Sequence, residues 1–192
     1  MLRELARDKA FIIEIGTFFG GSAETMLEAS NAKMICVDTF AGTPNNETAA
    51  VAKQVMLPYA ALRLERFGDR VSIIVADSRR AARFIAPNIA DMIFLDAAHD
   101  YENVRADIAA WLPKLKPGGV FAGHDMYKWF DRLMPEQMLA YRHEQMEPET
   151  GLHCGVHLAV TEAFLTVDLL GTVDSSIWSA KPEQAQLQEK AA

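Results

Sequence analysis

Five short apolar runs, each followed by a stretch of helix-forming composition, restrict this chain more than any other feature. They are Phe11 to Ile15, Met34 to Asp38, Val71 to Ser78, Asp91 into the polar loop that ends at Tyr101, and Val120 to Met126. Five alternations of strand and helix call for an α/β fold: a doubly wound, mostly parallel sheet with helices on both faces. Leu165 to Leu170 and Ser176 to Ala180 read as two closing strands. They bring the sheet to seven, with the last strand antiparallel.

Within this frame the spacing predicts particular elements. Pro58 stands near the start of a helix running toward Phe67, with Gly68 as its stop. The continuous β-branched run from Val71 suggests burial on both faces. Val104, Ile108, Trp111, Leu112 and Leu115 share one helical stripe, and KPGG then turns the chain into the fifth strand. Trp129 to Met146 is amphipathic around Pro135, and Gly155 to Phe164 forms a further helix. A chain of 192 residues, half of them apolar, fills one core. The expectation is one domain over residues 1–181 and a polar tail over 182–192.

Charge and hydropathy narrow the partners. Nineteen basic against 26 acidic residues give a net charge of −7, and no basic run exceeds Arg79-Arg80. Binding a phosphate backbone requires clustered Lys and Arg, so nucleic acid is not expected and a small molecule is. No apolar run reaches the roughly 20 residues needed to span a bilayer, and the first ten residues lack an apolar signal core. A cytoplasmic protein without membrane contact is expected. Cys36, in a strand, and Cys154, in a later loop, are too few for a disulfide framework and read as free thiols.

In a doubly wound sheet, ligands bind at the carboxyl ends of the strands. Those ends carry Glu14 with Gly16, Asp38, Asp77 with Ser78, Asp96 with His99, and His124 with Asp125. Every one has an acid, more than solubility demands. After the first strand, Gly16, Gly20 and Gly21 form a tight turn into a helix whose N–H groups point at whatever occupies it. The G-x-G-x-x-G spacing of dinucleotide sites is not met, and Glu14 would repel a pyrophosphate. An ammonium group or a ribose suits Glu14 better. Asp38, about 22 residues beyond the glycine turn, stands where an acid accepts ribose hydroxyls, and Asp77 is equally suited to cap the next helix.

Asp96, His124 and Asp125 come from adjacent strand ends. Two carboxylates and an imidazole there either hold a divalent cation such as Mg²⁺ or Mn²⁺ or form a hydrogen-bonded cluster without one. His99, three residues past Asp96, is within reach of a hydroxyl bound beside the ion and can act as general base. His153, Cys154 and His157 match no closed four-ligand zinc pattern and are expected near the pocket mouth, against substrate.

These stretches together resemble the class I S-adenosylmethionine-dependent methyltransferases. The likeness is strongest to the small-molecule O-methyltransferase branch with the catechol-type enzymes and those that tailor macrolide sugars and cephalosporins. It rests on FIIEIGTFFGGS, MICVDTF, VSIIVADS, the long block DMIFLDAAHDYENVRADIAAWLPKLKPGGVFAGHD and the closing SSIWSA. The resemblance implies S-adenosyl-L-methionine as cofactor and a small-molecule hydroxyl as acceptor. Glu14, Gly16 and Ser22, with Thr17 beside them, would take its methionine part, Asp38 its ribose, and Asp77 and Ser78 its adenine. Asp96 would serve both cofactor and metal, Asp125 and His124 the metal, and His99 the proton.

Two departures from that family bear on function. His124-Asp125 replaces the usual acid or amide pair, which leaves the metal altered in preference, weakened or absent. Only ten residues precede the first strand, so the pocket is roofed by the Thr39 to Thr48 loop, by residues 127 to 157, or by a second subunit of a homo-oligomer. Two other readings stand beside methyl transfer: a cofactor-binding partner subunit that has lost catalysis, and a nicotinamide-dependent oxidoreductase, which Glu14 and the glycine spacing disfavour.

Overall fold

The computed structural model describes residues 1–42, 49–128, 133–171 and 175–182. Its strands are β1 (Phe11–Ile15), β2 (Lys33–Asp38), β3 (Val71–Val75), β4 (Ala90–Leu95), β5 (Leu115–Gly123), β6 (Asp168–Leu169) and β7 (Trp178–Ala180). They form one seven-stranded sheet in the order β3-β2-β1-β4-β5-β7-β6. The first five are mutually parallel, and β7 runs antiparallel to both β5 and β6. The helices are α1 (Leu2–Ala6), α2 (Gly21–Ala29), α3 (Ala49–Leu64), α4 (Ser78–Ala82), α5 (Tyr101–Trp111), α6 (Pro135–Ala140) and α7 (Cys154–Ala163). None among the described residues is long and apolar enough to cross a membrane.

The period-two alternation of the central strands builds a core on each face. Ile13, Ile15, Ile93, Leu95 and Phe121 point to one side, where Ile108 and Trp111 of α5 and Val160 of α7 cover them. Ile12, Met34, Cys36, Met92 and Phe94 point to the other and meet Met26 and Leu27 of α2. Removing a side chain such as Phe121 from this packing would cost about 3–5 kcal/mol. Strand order reverses beside β1, between β1 and β4. There the loops after β1, β2, β4 and β5 come together.

Several expected boundaries shift, each for a local reason. Pro58 lies inside α3 rather than near its start. It is exposed, so water can take the carbonyl hydrogen bond that its missing N–H leaves open. β3 is an edge strand with alternating half-exposed residues rather than a strand buried on both faces, and it ends at Val75. Leu115 pairs with Ala90 as the first residue of β5, after Leu112–Lys114 have closed α5 in a 3₁₀ turn. Val120 then pairs with Met92, so KPGG bulges out of the ladder instead of preceding it. Cys154 opens α7 and is buried, not in a loop. Of the Trp129 to Met146 region, only Pro135–Ala140 is helical among the described residues. Much of the Thr39 to Thr48 loop, and the tail after Pro182, lie outside them.

Candidate active site

Gly16 ends β1 with φ +88°, a conformation open to glycine at little cost. A Cβ there would lie 1.9 Å from the carbonyl oxygen of Asp96, so the loops after β1 and β4 touch backbone to backbone. Asp38 then fixes the glycine turn. Its Oδ2 accepts from the N–H groups of Thr17 and Phe18, each at 2.8 Å, and its Oδ1 from Phe40 N–H at 2.7 Å. A carboxylate offers about four lone-pair positions, so one stays open.

Glu14 sits beneath the turn with 0% of its surface exposed. Ser22, in the first turn of α2, donates to its Oε1 at 2.5 Å. Glu14 Oε2 and Thr17 Oγ1 are both fully buried, with the Thr17 hydroxyl and the Cys36 thiol beside the carboxyl. Burial pushes the Glu14 carboxyl up to about 8, against the opposing pull of Ser22. Burial thus favours the uncharged carboxyl beneath the turn. The Ser22 hydroxyl and the Glu14 carboxyl, both expected to take the methionine part of a cofactor, are bonded to each other in this geometry.

Asp77 and Ser78 lie in the loop between β3 and α4. Asp77 caps α4 by accepting from Arg80 N–H at 3.0 Å. The Ser78 hydroxyl donates to Asp107 at 2.8 Å and accepts from Trp111 Nε1 at 2.7 Å, tying α4 to α5. The Ser78 side chain thus joins two helices, while the Asp77 side chain is half exposed beside it.

At the ends of β4 and β5 the expected acids and imidazoles do meet. Ligand atoms of Asp96, His124 and Asp125 lie within 4.8 Å of one another. Gly123 makes this possible: a Cβ there would strike Leu95 O at 2.5 Å and the Trp178 ring at 2.6 Å. Asp125 follows in the left-handed region, φ +67°, which Asp tolerates better than most residues. The segment before β7 then clamps the strand end. Trp178 Nε1 donates to His124 O at 3.0 Å, and the His124 ring meets Ser176 Oγ through Nε2 at 2.8 Å.

Asp125 is the hub. His124 Nδ1 stands 2.9 Å from its Oδ1 and His99 Nε2 2.9 Å from its Oδ2. Burial alone would raise the Asp125 carboxyl, yet these two imidazoles outweigh it and hold the group well below the usual carboxylate range. Both imidazoles are correspondingly raised: His124 by its bond to Asp125, His99 by the same carboxylate against the opposing effect of burial. Asp96 is raised by burial and by repulsion from Asp125.

His153, not expected in this cluster, joins it. Its Nε2 is 3.6 Å from Asp125 Oδ1 and its ring centroid 4.2 Å from that of His99. No sequence spacing signals this. The cause is Gly155, where a Cβ would fall 2.4 Å from His99 O and 2.3 Å from Tyr101 N, so the first turn of α7 lies directly on the His99 loop. Tyr101 N–H donates to Arg142 O and His99 N–H to the Gln145 side chain, making the segment before α7 a wall of the site. Cys154 points away into a cluster with Leu133 and Leu152.

Comparison with known proteins accords with this architecture. A family described as methyltransferase domain matches residues 13–126, more than half the chain. An uncharacterized protein, R132 of Acanthamoeba polyphaga mimivirus, is 27% identical over 135 residues, 67% of this chain and 58% of that protein. The chain therefore spans a little over half the length of that relative. A putative caffeoyl-CoA O-methyltransferase from Staphylococcus aureus aligns at TM-score 0.63 and 20% identity, covering 94% of this chain and 81% of that one. The methyltransferase PaMTH1 of Podospora anserina, solved with S-adenosylhomocysteine, aligns at TM-score 0.64 and 17% identity, covering 95% and 76%. At such identities these likenesses show a shared fold, that of the S-adenosylmethionine-dependent methyltransferases.

Proposed function

Because this chain belongs to the methyltransferase-domain family, we propose that it methylates a hydroxyl oxygen of a small molecule, with S-adenosyl-L-methionine as donor and a divalent cation at the acceptor. The observation that carries this reading is the convergence of Asp96, His124 and Asp125 beside His99, one loop away from the glycine turn. Proton removal and the cofactor thereby share one cleft.

The residues present fit the cofactor. Asp38 keeps one acceptor position for a ribose hydroxyl. The backbone of Gly16 and Thr17 lies against the methionine part, with Glu14 and Ser22 supporting the turn from below and Asp96 closing its side. Backbone groups of Asp77 and Ser78 meet the adenine edge. The cofactor supplies an electrophilic methyl group, so the protein's task is alignment and an anionic acceptor.

The donor set also fits a cation. Asp96 and Asp125 offer carboxylate oxygens and His124 a nitrogen, and the 2.9 Å between His124 Nδ1 and Asp125 Oδ1 is close to the spacing of neighbouring ligands about 2.1 Å from one ion. A Mg²⁺ or Mn²⁺ ion there would lower the pKa of a bound hydroxyl. His99, whose Nε2–H donates to Asp125 Oδ2, would take the proton at Nδ1 and stay paired with that carboxylate as imidazolium. The segment that carries Gln145 and His153 excludes water from that side.

Titration calorimetry with S-adenosylhomocysteine, followed by a panel of phenols and sugar hydroxyls with Mg²⁺, Mn²⁺ or chelator, tests this. Binding of the homocysteine product and metal-stimulated methylation are expected. Failure to bind it would end the reading, and methylation of amines alone would end its oxygen specificity.

A further inference from the structure

We propose that His99, Asp125 and His153 form a second metal site, one that takes a transition-metal dication of the Zn²⁺ class and shares only Asp125 with the Asp96–His124–Asp125 set. One ligand atom from each of the three lies within 4.8 Å of the others. His99 Nε2 is 2.9 Å from Asp125 Oδ2, and His153 Nε2 is 3.6 Å from Asp125 Oδ1. Ligands bonded at 2.0–2.1 Å to one ion stand about 2.8–3.4 Å apart in octahedral or tetrahedral arrangements. Closing this site around an ion therefore takes shifts of a few tenths of an ångström in those two pairs.

The hydrogen bonding of His153 supplies a second reason. Its Nδ1 lies 2.5 Å from the carbonyl oxygen of Gln145, which can only accept, so Nδ1 carries the hydrogen. In the neutral ring Nε2 then keeps its lone pair, and that lone pair faces an oxygen of Asp125 that also has only lone pairs to offer. Two acceptors opposed in a half-buried site are satisfied by a cation between them. A backbone carbonyl holding the far nitrogen of an imidazole is also the support that metal-ligating histidines characteristically have. Gln145 itself is anchored, its amide nitrogen donating to Asp100 at 3.0 Å and its side-chain oxygen accepting from His99 N–H at 3.3 Å.

The donor set selects the ion. Two imidazoles and one carboxylate favour Zn²⁺, Fe²⁺, Co²⁺ or Ni²⁺ over Mg²⁺, whereas the set with two carboxylates suits a harder ion. Three protein ligands leave a position open to water. Cys154 takes no part, since it is buried against Leu133 and Leu152. One consequence rests on the methyl-transfer reading: a His99 that ligates a dication through Nε2 loses the hydrogen bond to Asp125 that orients it and is a far weaker base at Nδ1. A thiophilic or borderline metal would therefore inhibit the reaction that a hard metal supports. The site itself does not depend on that reading.

The test uses the full chain, stripped of metal and titrated with Zn²⁺ against a chromophoric chelator, in the native protein and in His153→Ala, His153→Asp and His124→Ala. Circular dichroism and S-adenosylhomocysteine affinity report whether each variant is folded. The native protein should bind one Zn²⁺ that His153→Ala weakens by about tenfold or more, that His153→Asp partly restores and that His124→Ala leaves in place. Zinc-edge X-ray absorption of the native protein, which needs no variant, should show two imidazole ligands. Absence of Zn²⁺ binding, unchanged affinity in His153→Ala, loss in His124→Ala instead, or a single imidazole in the spectrum would each overturn the proposal. Failure to bind S-adenosylhomocysteine would strike the proposed activity and leave this site standing.

Discussion

The carbonyl oxygen of Asp96 stands 1.9 Å from where a Cβ on residue 16 would lie, so the glycine turn after β1 and the loop after β4 are in direct backbone contact. Gly16→Ala should destabilise the protein by about 1–3 kcal/mol from its φ of +88° alone, with the collision adding to that. Pushing the two loops apart should also abolish S-adenosylhomocysteine binding. Denaturant unfolding and calorimetry on the variant check both, and a variant of native stability and affinity would refute the contact.

Asp38 holds three backbone N–H groups, two of them in the turn after β1. Asp38→Asn puts an amide where only acceptors work and leaves N–H groups unpaired. A stability loss of about 1–3 kcal/mol is expected, with S-adenosylhomocysteine affinity falling about tenfold or more, since one missing charged hydrogen bond is worth that much. If the carboxylate neither binds ribose nor orders the turn, calorimetry will show the affinity unchanged.

Glu14 gives the pH dependence a sign. Its folded pKa is raised from 4.5 to about 8 by burial, so between those values the folded state holds a proton that the unfolded state has released. Stability must then fall as pH rises through that window, by up to about 1.4 kcal/mol per unit. Glu14→Gln keeps an acceptor for Ser22 and carries no charge, so it should flatten this slope and make the protein more stable than the native form at pH 8. Unfolding curves at several pH values decide it. Retained S-adenosylhomocysteine affinity in the variant would further separate a neutral supporting role from a charged contact with the ammonium.

His99 donates Nε2–H to Asp125 Oδ2 at 2.9 Å, which would leave Nδ1 to accept the substrate proton. His99→Gln should lower kcat by about 10²–10⁴ while S-adenosylhomocysteine affinity stays close to native. A variant with native kcat would mean that the proton leaves by another route.

Much of this was legible in the order of the residues. Central strands such as β1 and β4 repeat apolar residues so densely that only a parallel sheet covered on both faces can bury them, and their carboxyl ends announced the acids. Legibility stopped where a choice depended on neighbours in space. The run from Val71 looked buried on both faces, but strand order left it at an edge. KPGG looked like a turn before β5, but the ladder with β4 begins earlier and makes it a bulge.

The sequence by itself determined the doubly wound sheet, the glycine turn and the meeting of Asp96, His124 and Asp125, because hydrophobic period and strand adjacency are written locally. Tertiary structure alone decided that Glu14 is sealed, that Ser78 serves Asp107 and Trp111, and that His153 reaches Asp125. The last follows from the close contact at Gly155, where the lack of a side chain lets segments far apart in the chain approach, and no local pattern encodes which segments those are.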